Sequence, residues 1–346
     1  MEKKQWKWLA ISVGFSTVVL LFVLWLTIDE NTIGYLRYAK VEFLAFALLL
    51  HMGAFVFWAL RMKMMSHSLG YHVPFLHSLN AVFANLLVAA ITPSQAGGEP
   101  VRIHELYRSE VPLGDATAVV IMERVLDGIV LGIIGIFSFL MLAFQVSDLE
   151  VNLTTPLLIM WFLLVVVLAV FVNSIRHPDF LKRLLKRISG WFTKRWKSDR
   201  VERLRERIDE EVDNFNAALA KFIGKARPGL VWGMLFTFLY WIAEFLIPSC
   251  ILIALGKPPH FLESFIVQLM IAILMMIPLT PGGSGIAEIG ATSLYGLFVP
   301  SSIVGVFVLI WRLIMYYFNV FVGVLASVFI VRREMILRRI KRLKRI

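Results

Sequence analysis

Cysteine is almost absent from this chain, because Cys250 is the single one among 346 residues. One cysteine excludes an intrachain disulfide and a cysteine-based metal cluster. The chain also lacks a GxxxxGKS/T phosphate loop, a GxGxxG dinucleotide fingerprint and a GxSxG nucleophile motif. We therefore expect no cofactor, no bound metal and no catalytic residue of these classes.

Acidic residues are scarcer than basic ones, 24 against 35, which leaves a formal net charge of +11. The basic excess is local: 15 Lys and Arg lie between Arg176 and Arg227, and eight lie between Arg332 and Arg345. Such clusters bind nucleic acid in some proteins. Beside membrane helices they mark the cytoplasmic side and contact anionic headgroups. We therefore predict membrane lipids, with anionic headgroups at the cytoplasmic face, as partners, and no nucleic acid.

Long apolar runs make up most of what remains. Hydrophobic residues account for 59% of the chain, which is more apolar surface than a soluble domain can hide. Unbroken runs of about 20 residues match about 30 Å of hydrocarbon and select helices, since only helices and closed barrels satisfy the backbone in lipid. The sequence predicts an all-α integral membrane protein with about six spanning helices, at 8–28, 42–62, 116–144, 155–174, 229–255 and 301–331.

Basic flanking residues orient these helices in the membrane. They place both termini, Arg61 and the segment 176–227 on the cytoplasmic side, and the loop 147–152 outside. We predict a multi-pass protein of the cell membrane with cytoplasmic N- and C-termini. Asn152 begins an Asn-Leu-Thr glycosylation pattern on the outer loop, and whether it carries a glycan depends on the host.

Two apolar segments are interrupted by similar turns, TPSQAGGEP at 92–100 and TPGGSGIAE at 280–288. Proline removes a backbone donor and glycine permits reversal of the chain. Each segment is therefore predicted to form a re-entrant helical hairpin, at 75–109 and 263–298. The alternative, a single kinked spanning helix, conflicts with the charge pattern of the loops. The predicted turn residues are Thr92, Pro93, Gly97, Gly98, Thr280, Pro281, Gly282, Gly283 and Gly285.

The two segments also align with each other without gaps, at the constant offset that pairs Thr92 with Thr280. We call this the repeat offset. Between positions 92 and 124, nine residues have an identical counterpart at this offset, including Arg124, which pairs with Arg312. Since one hairpin starts inside and the other outside, we predict an inverted-topology repeat, as in many secondary transporters. One membrane domain, 1–346, then contains repeat 1 at 41–145, amphipathic basic helices at 176–227, repeat 2 at 229–331 and a basic tail at 332–346.

Charged residues cluster within a predicted span, where IMERVLDGIV contains Glu123, Arg124 and Asp127. Each charge at the centre of a spanning helix costs about 2.5–3.5 kcal/mol on insertion scales, so three of them imply compensation. Arg124 and Asp127 are three positions apart and can pair. A self-neutralising structural cluster is the alternative to a functional one.

Arg312 stands at the equivalent position of the second repeat without an adjacent carboxylate. It requires a partner from another helix, a wet cavity or an anionic ligand, and Glu244 and Glu288 are the candidate partners.

The half-helices that follow the turns present free N–H groups. Pro100 is predicted in the first turn of one and Ser284 as the cap of the other, and such termini favour phosphate or carboxylate. Alternatively, Glu99 and Glu288 complete these termini. The predicted substrate-binding residues are Glu99, Arg102, Glu123, Arg124, Asp127, Glu288 and Arg312.

TPSQAGGEP followed by IMERVLDGI, and later PGGSGIAE followed by LIWRLIMYY, resemble the flippase-like family that includes the transmembrane region of lysylphosphatidylglycerol synthases. The resemblance covers about residues 8–331. Ser94 and Gln95 depart from it, since relatives often have glycine and an apolar residue there. It implies translocation of a lipid or lipid-linked substrate. We expect no aminoacyl-transferase domain, because the last predicted helix ends at 331 and the sequence at 346. The matching residues are Glu99, Glu123, Arg124, Asp127, Pro281, Gly282, Gly283, Gly285, Glu288 and Arg312.

The leading hypothesis is a transporter, not an enzyme, that moves a phospholipid or lipid-linked headgroup between leaflets by alternating access. Arg124 and Arg312 would hold phosphate, while Glu123, Asp127 and Glu288 would contact amines or exchange protons.

Two other hypotheses stay open. An integral-membrane transferase acting on a polyprenyl-phosphate would use Asp148 and Glu150, on a short loop that is small for a donor site. The other is an ion-coupled carrier of small soluble anions. The sequence leaves open the headgroup, the direction, the driving force and the oligomeric state, and an oligomer is compatible with it.

Overall fold

A computed structural model describes residues 3–27, 32–92, 97–145, 226–275, 280 and 283–327, with isolated positions between 155 and 224. Every regular element in these residues is helical. The helices are α1 (Lys3–Thr27), α2 (Thr32–Arg37), α3 (Val41–Ser68), α4 (Phe75–Ala90), α5 (Gly98–Arg108), α6 (Leu113–Gln145), α7 (Arg227–Ala254), α8 (Phe261–Leu274), α9 (Ile286–Tyr295) and α10 (Ser301–Ser327). Residues Leu313–Tyr317 of α10 form a π-helical turn.

Three of these helices, α3, α7 and α10, are long and apolar enough to cross a membrane. They coincide with three predicted spans and confirm the all-α integral membrane class. Helices α1 and α6 coincide with two more predicted spans, although α6 contains the charged cluster. The sixth predicted span, 155–174, falls mostly outside the described residues, so the count of about six remains a prediction.

Helix order recurs at the repeat offset found in the sequence. Shifted by this offset, the first residues of α3, α4, α5 and α6 fall at 229, 263, 286 and 301, and α7, α8, α9 and α10 begin at 227, 261, 286 and 301. Each half thus contains one long helix, two shorter helices that pack against each other, and a second long helix. The predicted hairpin segments, 75–109 and 263–298, correspond to α4 with α5 and to α8 with α9. That these hairpins are re-entrant stays a prediction.

The two equivalent long helices, α3 and α7, pack together along their length and run antiparallel. Lys40, before α3, donates its backbone N–H to the carbonyl of Ala254, at the end of α7, at 2.8 Å. At the opposite end, a Cβ on Gly229 would lie 2.0 Å from Ser68 Oγ. Gly229 and Gly233 have the spacing of the small-residue motif that lets two membrane helices approach closely. A side chain at Gly229 would push the two helices apart.

Two apolar cores accompany the two halves. One joins α3 and α4 with the start of α6, and the other joins α7, α8, α9 and α10. Contacts also cross between the halves: a Cβ on Gly135 of α6 would lie 3.3 Å from Leu269 of α8, and one on Gly323 of α10 would lie 2.8 Å from Leu87 of α4. Gly135 and Gly323 are counterparts at the repeat offset, so each of these two long helices crosses the hairpin of the other half at an equivalent glycine.

Several predictions fall on residues outside the described ones. They concern most of the basic segment 176–227, the tail 332–346 and the outer loop with Asp148, Glu150 and Asn152. These stay predictions.

Candidate functional site

A network of buried charges joins α3, α5, α6 and α7. Arg61 is at its centre, with a 2% exposed side chain. Its Nε donates to Glu123 Oε1 at 3.0 Å, and its Nη1 donates to Asp127 Oδ1 at 2.6 Å and to Thr237 Oγ1 at 3.1 Å. Trp241 Nε1 donates to the same Asp127 oxygen at 3.1 Å. Arg61 therefore bridges both carboxylates that the sequence placed within a span.

Arg102, on α5, is the second guanidinium of the network and is fully buried. Its Nη1 donates to Glu123 Oε2, and its guanidinium carbon lies 5.1 Å from the centre of the Trp58 ring, a cation–π distance. Its Nε and Nη2 have no hydrogen-bond partner among the described residues. Arg102 thus holds the α5 half of the first hairpin against α6 and keeps unused donors.

Arg124 and Glu99 form the exposed end of this network. Arg124 Nε donates to Glu99 Oε1 at 2.8 Å, and its Nη1 approaches Asp127 Oδ2 at 3.5 Å. The two side chains are 40% and 36% exposed, whereas Glu123 is fully buried. The predicted pairing of Arg124 with Asp127 is confirmed, but the shorter contact joins Arg124 to the hairpin.

The second half contains a matching pair that is sealed. Arg312 contacts Glu288 Oε1 through Nε at 2.8 Å and Nη2 at 2.7 Å, with side chains 3% and 0% exposed. Ser16 of α1 donates to the same oxygen at 2.5 Å, and the Gly285 N–H donates to Glu288 Oε2 at 2.6 Å. The Tyr316 ring centre lies 4.4 Å from the guanidinium carbon. Both carboxylate oxygens of Glu288 are thereby hydrogen-bonded inside the protein.

Two expectations about this second half need correction. Glu244 is not the partner of Arg312: it lies on α7 with its carboxylate 2.7 Å from His51 Nδ1. Gly285, not Ser284, precedes the first residue of α9, and the Glu288 carboxylate caps that end. Glu288 thus completes the helix terminus and pairs with Arg312 at the same time.

The turn residues adopt conformations that favour glycine. Gly283 and Gly285 have φ values of +68° and +85°, where other residues are strained. A Cβ on Gly98 would lie 2.1 Å from Asn85 Oδ1, so glycine lets α5 pack against α4. Gly97 donates its N–H to Thr92 Oγ1 at 3.0 Å, which closes the first turn. Thr280 Oγ1 is buried without a partner among the described residues. The remaining predicted turn residues, Pro93, Pro281 and Gly282, lie outside the described residues.

The structure thus brings five of the seven predicted binding residues into one cluster and the other two into a second. The first cluster also contains Arg61, which the sequence analysis treated only as a cytoplasmic flank. The burial of Arg61 among the acidic residues of α6 was not expected, while its side of the membrane stays a prediction. The five are Glu99, Arg102, Glu123, Arg124 and Asp127, and the two are Glu288 and Arg312.

A polar contact also ties the loop after α3 to the start of α6. Tyr71 donates its hydroxyl to Asp115 Oδ2, and Lys221 Nζ lies 3.7 Å from Asp115 Oδ1. Burial, with the adjacent Asp115, raises the pKa of Tyr71 to about 12. The phenol therefore stays protonated and keeps donating at physiological pH.

An apolar groove lies beside the first cluster, between α6 and α7, with a volume of about 670 Å³. Its α6 wall includes Met122, Val125 and Leu126, which flank Glu123 and Arg124 in the sequence, and its α7 wall includes Leu230 and Phe238. The charged residues of the cluster do not line this groove, and at about 3.6 residues per turn Arg124 lies on roughly the opposite side of α6 from Met122 and Leu126.

The chain is similar to known proteins over nearly its whole length. A family model described as the lysylphosphatidylglycerol synthase TM region matches residues 8–323. A UPF0104 membrane protein of Archaeoglobus fulgidus is 34% identical over 91% of this chain and 95% of its own length. Another of Pyrococcus horikoshii is 27% identical, over 84% and 86%. Both turns and both ion-pair clusters fall within the matched range.

Proposed function

Because the chain belongs to the family of the lysylphosphatidylglycerol synthase transmembrane region, we propose that it translocates a phospholipid or lipid-linked headgroup between leaflets by alternating access. The half-exposed pair of Arg124 and Glu99 is the observation that carries this proposal. An ion pair open at one side can exchange partners with a ligand, whereas a sealed pair cannot do so without a conformational change.

The chemistry of this pair suits a headgroup with a phosphate. A phosphate oxygen can replace Glu99 on the Arg124 guanidinium, whose planar fork favours phosphate. Glu99, once released, can pair with a headgroup amine. The unused Nε and Nη2 of buried Arg102 provide further donors deeper in the same cluster. Before the ligand arrives, Glu99, Glu123 and Asp127 together balance the three guanidiniums of the network.

The groove between α6 and α7 suits an acyl chain, because its walls are almost entirely apolar side chains. A small soluble anion would have no use for such a groove.

The symmetry of the two halves supports alternating access. Helices α3 and α7 run antiparallel, and each half repeats a hairpin glutamate paired with an arginine on the next long helix. We infer an inverted-topology repeat in which the two hairpins enter from opposite faces of the membrane. In this conformation the first pair is open and the second is closed.

A lipid-flip assay in proteoliposomes tests the proposal. Vesicles of phosphatidylglycerol and phosphatidylethanolamine would contain a trace of either lipid with a fluorescent acyl chain, and quenching from outside would report the rate of flipping. We expect the native protein to accelerate flipping, and Arg124→Gln and Glu99→Gln to lose most of that acceleration.

Glu105→Gln is the matched control. Glu105 lies on the same helix as Glu99, and its carboxylate lies 3.4 Å from Arg108 Nη1, outside the network. Native rates in Arg124→Gln and Glu99→Gln would overturn the proposal. So would uptake of inorganic phosphate with no flipping of either lipid, which would favour a carrier of soluble anions.

A further inference from the structure

A further group of buried polar side chains lies at the junction of α3, α7 and α10, apart from both arginine clusters. His51 of α3 is 2% exposed and Glu244 of α7 is 5% exposed. His51 Nδ1 lies 2.7 Å from Glu244 Oε1, and His51 Nε2 lies 2.8 Å from Asn319 Oδ1 of α10. The Phe55 ring packs edge-on against the imidazole at 4.5 Å. One histidine therefore links three helices.

The orientation of Asn319 fixes the proton on one side of the imidazole. Asn319 Nδ2 lies 2.7 Å from the backbone carbonyl of Met315, and a carbonyl only accepts hydrogen bonds. The amide nitrogen must therefore face Met315, which leaves Oδ1 to face His51. Since Oδ1 is also an acceptor, His51 Nε2 must carry a proton.

A second proton is then required on the other side. If Nδ1 of His51 were bare and Glu244 were ionised, two acceptors would face each other at hydrogen-bonding distance without a hydrogen between them. One proton must lie between them, as an imidazolium beside a carboxylate or as a neutral imidazole beside a carboxylic acid. In either form, the two side chains together hold one exchangeable proton more than a neutral histidine beside an ionised glutamate.

We propose that His51 and Glu244 form a proton-binding site whose occupancy drives the transport cycle. With the proton bound, the pair is neutral overall. Release of the proton to water leaves one uncompensated negative charge in a buried position, which is strongly unfavourable. The pair must then separate or admit water, so loss of the proton favours a different arrangement of the three helices.

The neighbouring groups do not neutralise that charge. Around the pair, α3 contributes Phe55, α10 contributes Asn319 and Phe318, and α7 contributes Tyr240 one turn before Glu244. Tyr240 is titratable but is neutral when protonated. Among the described residues, no arginine or lysine makes an ion pair with Glu244.

The position of Asn319 gives this site a route to the sealed ion pair. Asn319 follows the π-helical turn Leu313–Tyr317, and Arg312 immediately precedes it. π-helical turns inside α-helices occur often at functional sites. Breaking the contact between His51 and Asn319 would free the C-terminal end of that turn and favour the opening of Arg312 and Glu288. This coupling rests on the proposed function, whereas proton binding itself does not.

Glu244→Gln provides the sharpest test. A glutamine amide can donate to His51 Nδ1 and keep the hydrogen bonds, but it has no titratable proton. Glu42→Gln, at the exposed start of the same helix as His51, is the control. Ring-nitrogen NMR of histidine-labelled protein, with His51 assigned by its loss in His51→Gln, would be combined with infrared spectroscopy of carboxyl groups. We expect either an imidazolium signal from His51 or a protonated carboxyl band from Glu244 at neutral pH, lost in Glu244→Gln and kept in Glu42→Gln. A neutral His51 beside an ionised Glu244 at neutral pH would overturn the proposal.

The flip assay described above tests the coupling when it is run with and without a pH gradient. We expect the gradient to change the rate of the native protein and of Glu42→Gln, and to leave Glu244→Gln unchanged. If the flipping rate of the native protein does not change with the pH gradient, the proposed coupling is overturned. If the native protein flips no lipid at all, the proposed function fails, and the spectra still decide whether the proton site exists.

Discussion

The two hairpins form the same ion pair in different surroundings. In the first half, Glu99 and Arg124 are both more than a third exposed. In the second half, Glu288 and Arg312 are essentially inaccessible, enclosed by Ser16 of α1. The sequence spacing that creates the pair is nearly the same in the two halves, while its access to water is not.

This difference shows that the repeat supplies the pair and the flanking helices decide whether it is open. Helix α1 packs against α9 and α10 and covers the second pair. The first pair instead has a buried second layer, formed by Arg61 and Arg102. The counterpart of Arg61 at the repeat offset is Ser249, a buried residue whose hydroxyl has no partner among the described residues. The first half therefore places two buried arginines behind a solvent-accessible ion pair.

The largest effect is expected from Arg61→Met, which should destabilise the ion-pair network of the first half and leave that of the second half intact. It leaves Asp127 Oδ1 and Glu123 Oε1 without their cationic partner in a buried site, while Arg124 and Arg102 still contact the other two oxygens. Removing one side of such a pair costs about 3–5 kcal/mol, and we expect the upper end because two carboxylates are affected. Chemical unfolding in detergent measures the loss, with the exposed Arg108→Met as the control. A change in the free energy of unfolding below about 1 kcal/mol would show that Arg61 does not hold the network together.

The next effect sharpens the contrast between the two pairs. Glu288→Ala removes the cap of α9 and leaves buried Arg312 without its carboxylate partner. We therefore expect the free energy of unfolding to fall by about 3 kcal/mol. Glu99→Ala removes a solvent-screened pair and should cost no more than about 1 kcal/mol. Unfolding of the two variants under identical conditions gives the difference directly. Equal losses would contradict the assignment of one open and one sealed pair.

A smaller effect is expected from the packing of the first hairpin. In Gly98→Ala the new methyl would meet Asn85, and forced overpacking costs about 1–3 kcal/mol. Gly290 of α9 has open space around its Cβ position, so Gly290→Ala should be neutral or stabilising by up to about 1 kcal/mol. Thermal unfolding of both variants distinguishes them. A Gly98→Ala variant as stable as Gly290→Ala would mean that α4 and α5 are less closely packed than described.

The hairpin helices were predictable because local chemistry determines them. Proline and glycine interrupt two apolar runs, and the observed α4 to α5 and α8 to α9 units lie close to the predicted 75–109 and 263–298. At the repeat offset, the equivalent helices of the two halves begin within two positions of each other. A further signal, the small-residue spacing of Gly229 and Gly233, was present in the sequence and indicates the close contact of α7 with α3.

The partners of the charged residues were less predictable, because they depend on how helices pack. Arg61 follows an apolar run and precedes Lys63, which is the pattern of a cytoplasmic flank. Only the packing of α3 against α6 shows that it is buried beside two carboxylates. Glu244 could be assigned to Arg312 by charge alone, and the register of α3 with α7 instead places it on His51.

The relative orientation of the two hairpins is the most direct test of the account. In a Cys250→Ser background, a single cysteine would replace exposed His72, before α4, or exposed Pro258, before α8. A membrane-impermeant maleimide would then be applied to sealed vesicles of known orientation. Because the halves are inferred to be inverted, His72→Cys should react only from the cytoplasmic face and Pro258→Cys only from the opposite face. Labelling of both cysteines from the same face would contradict the inverted repeat and, with it, alternating access between the two ion pairs.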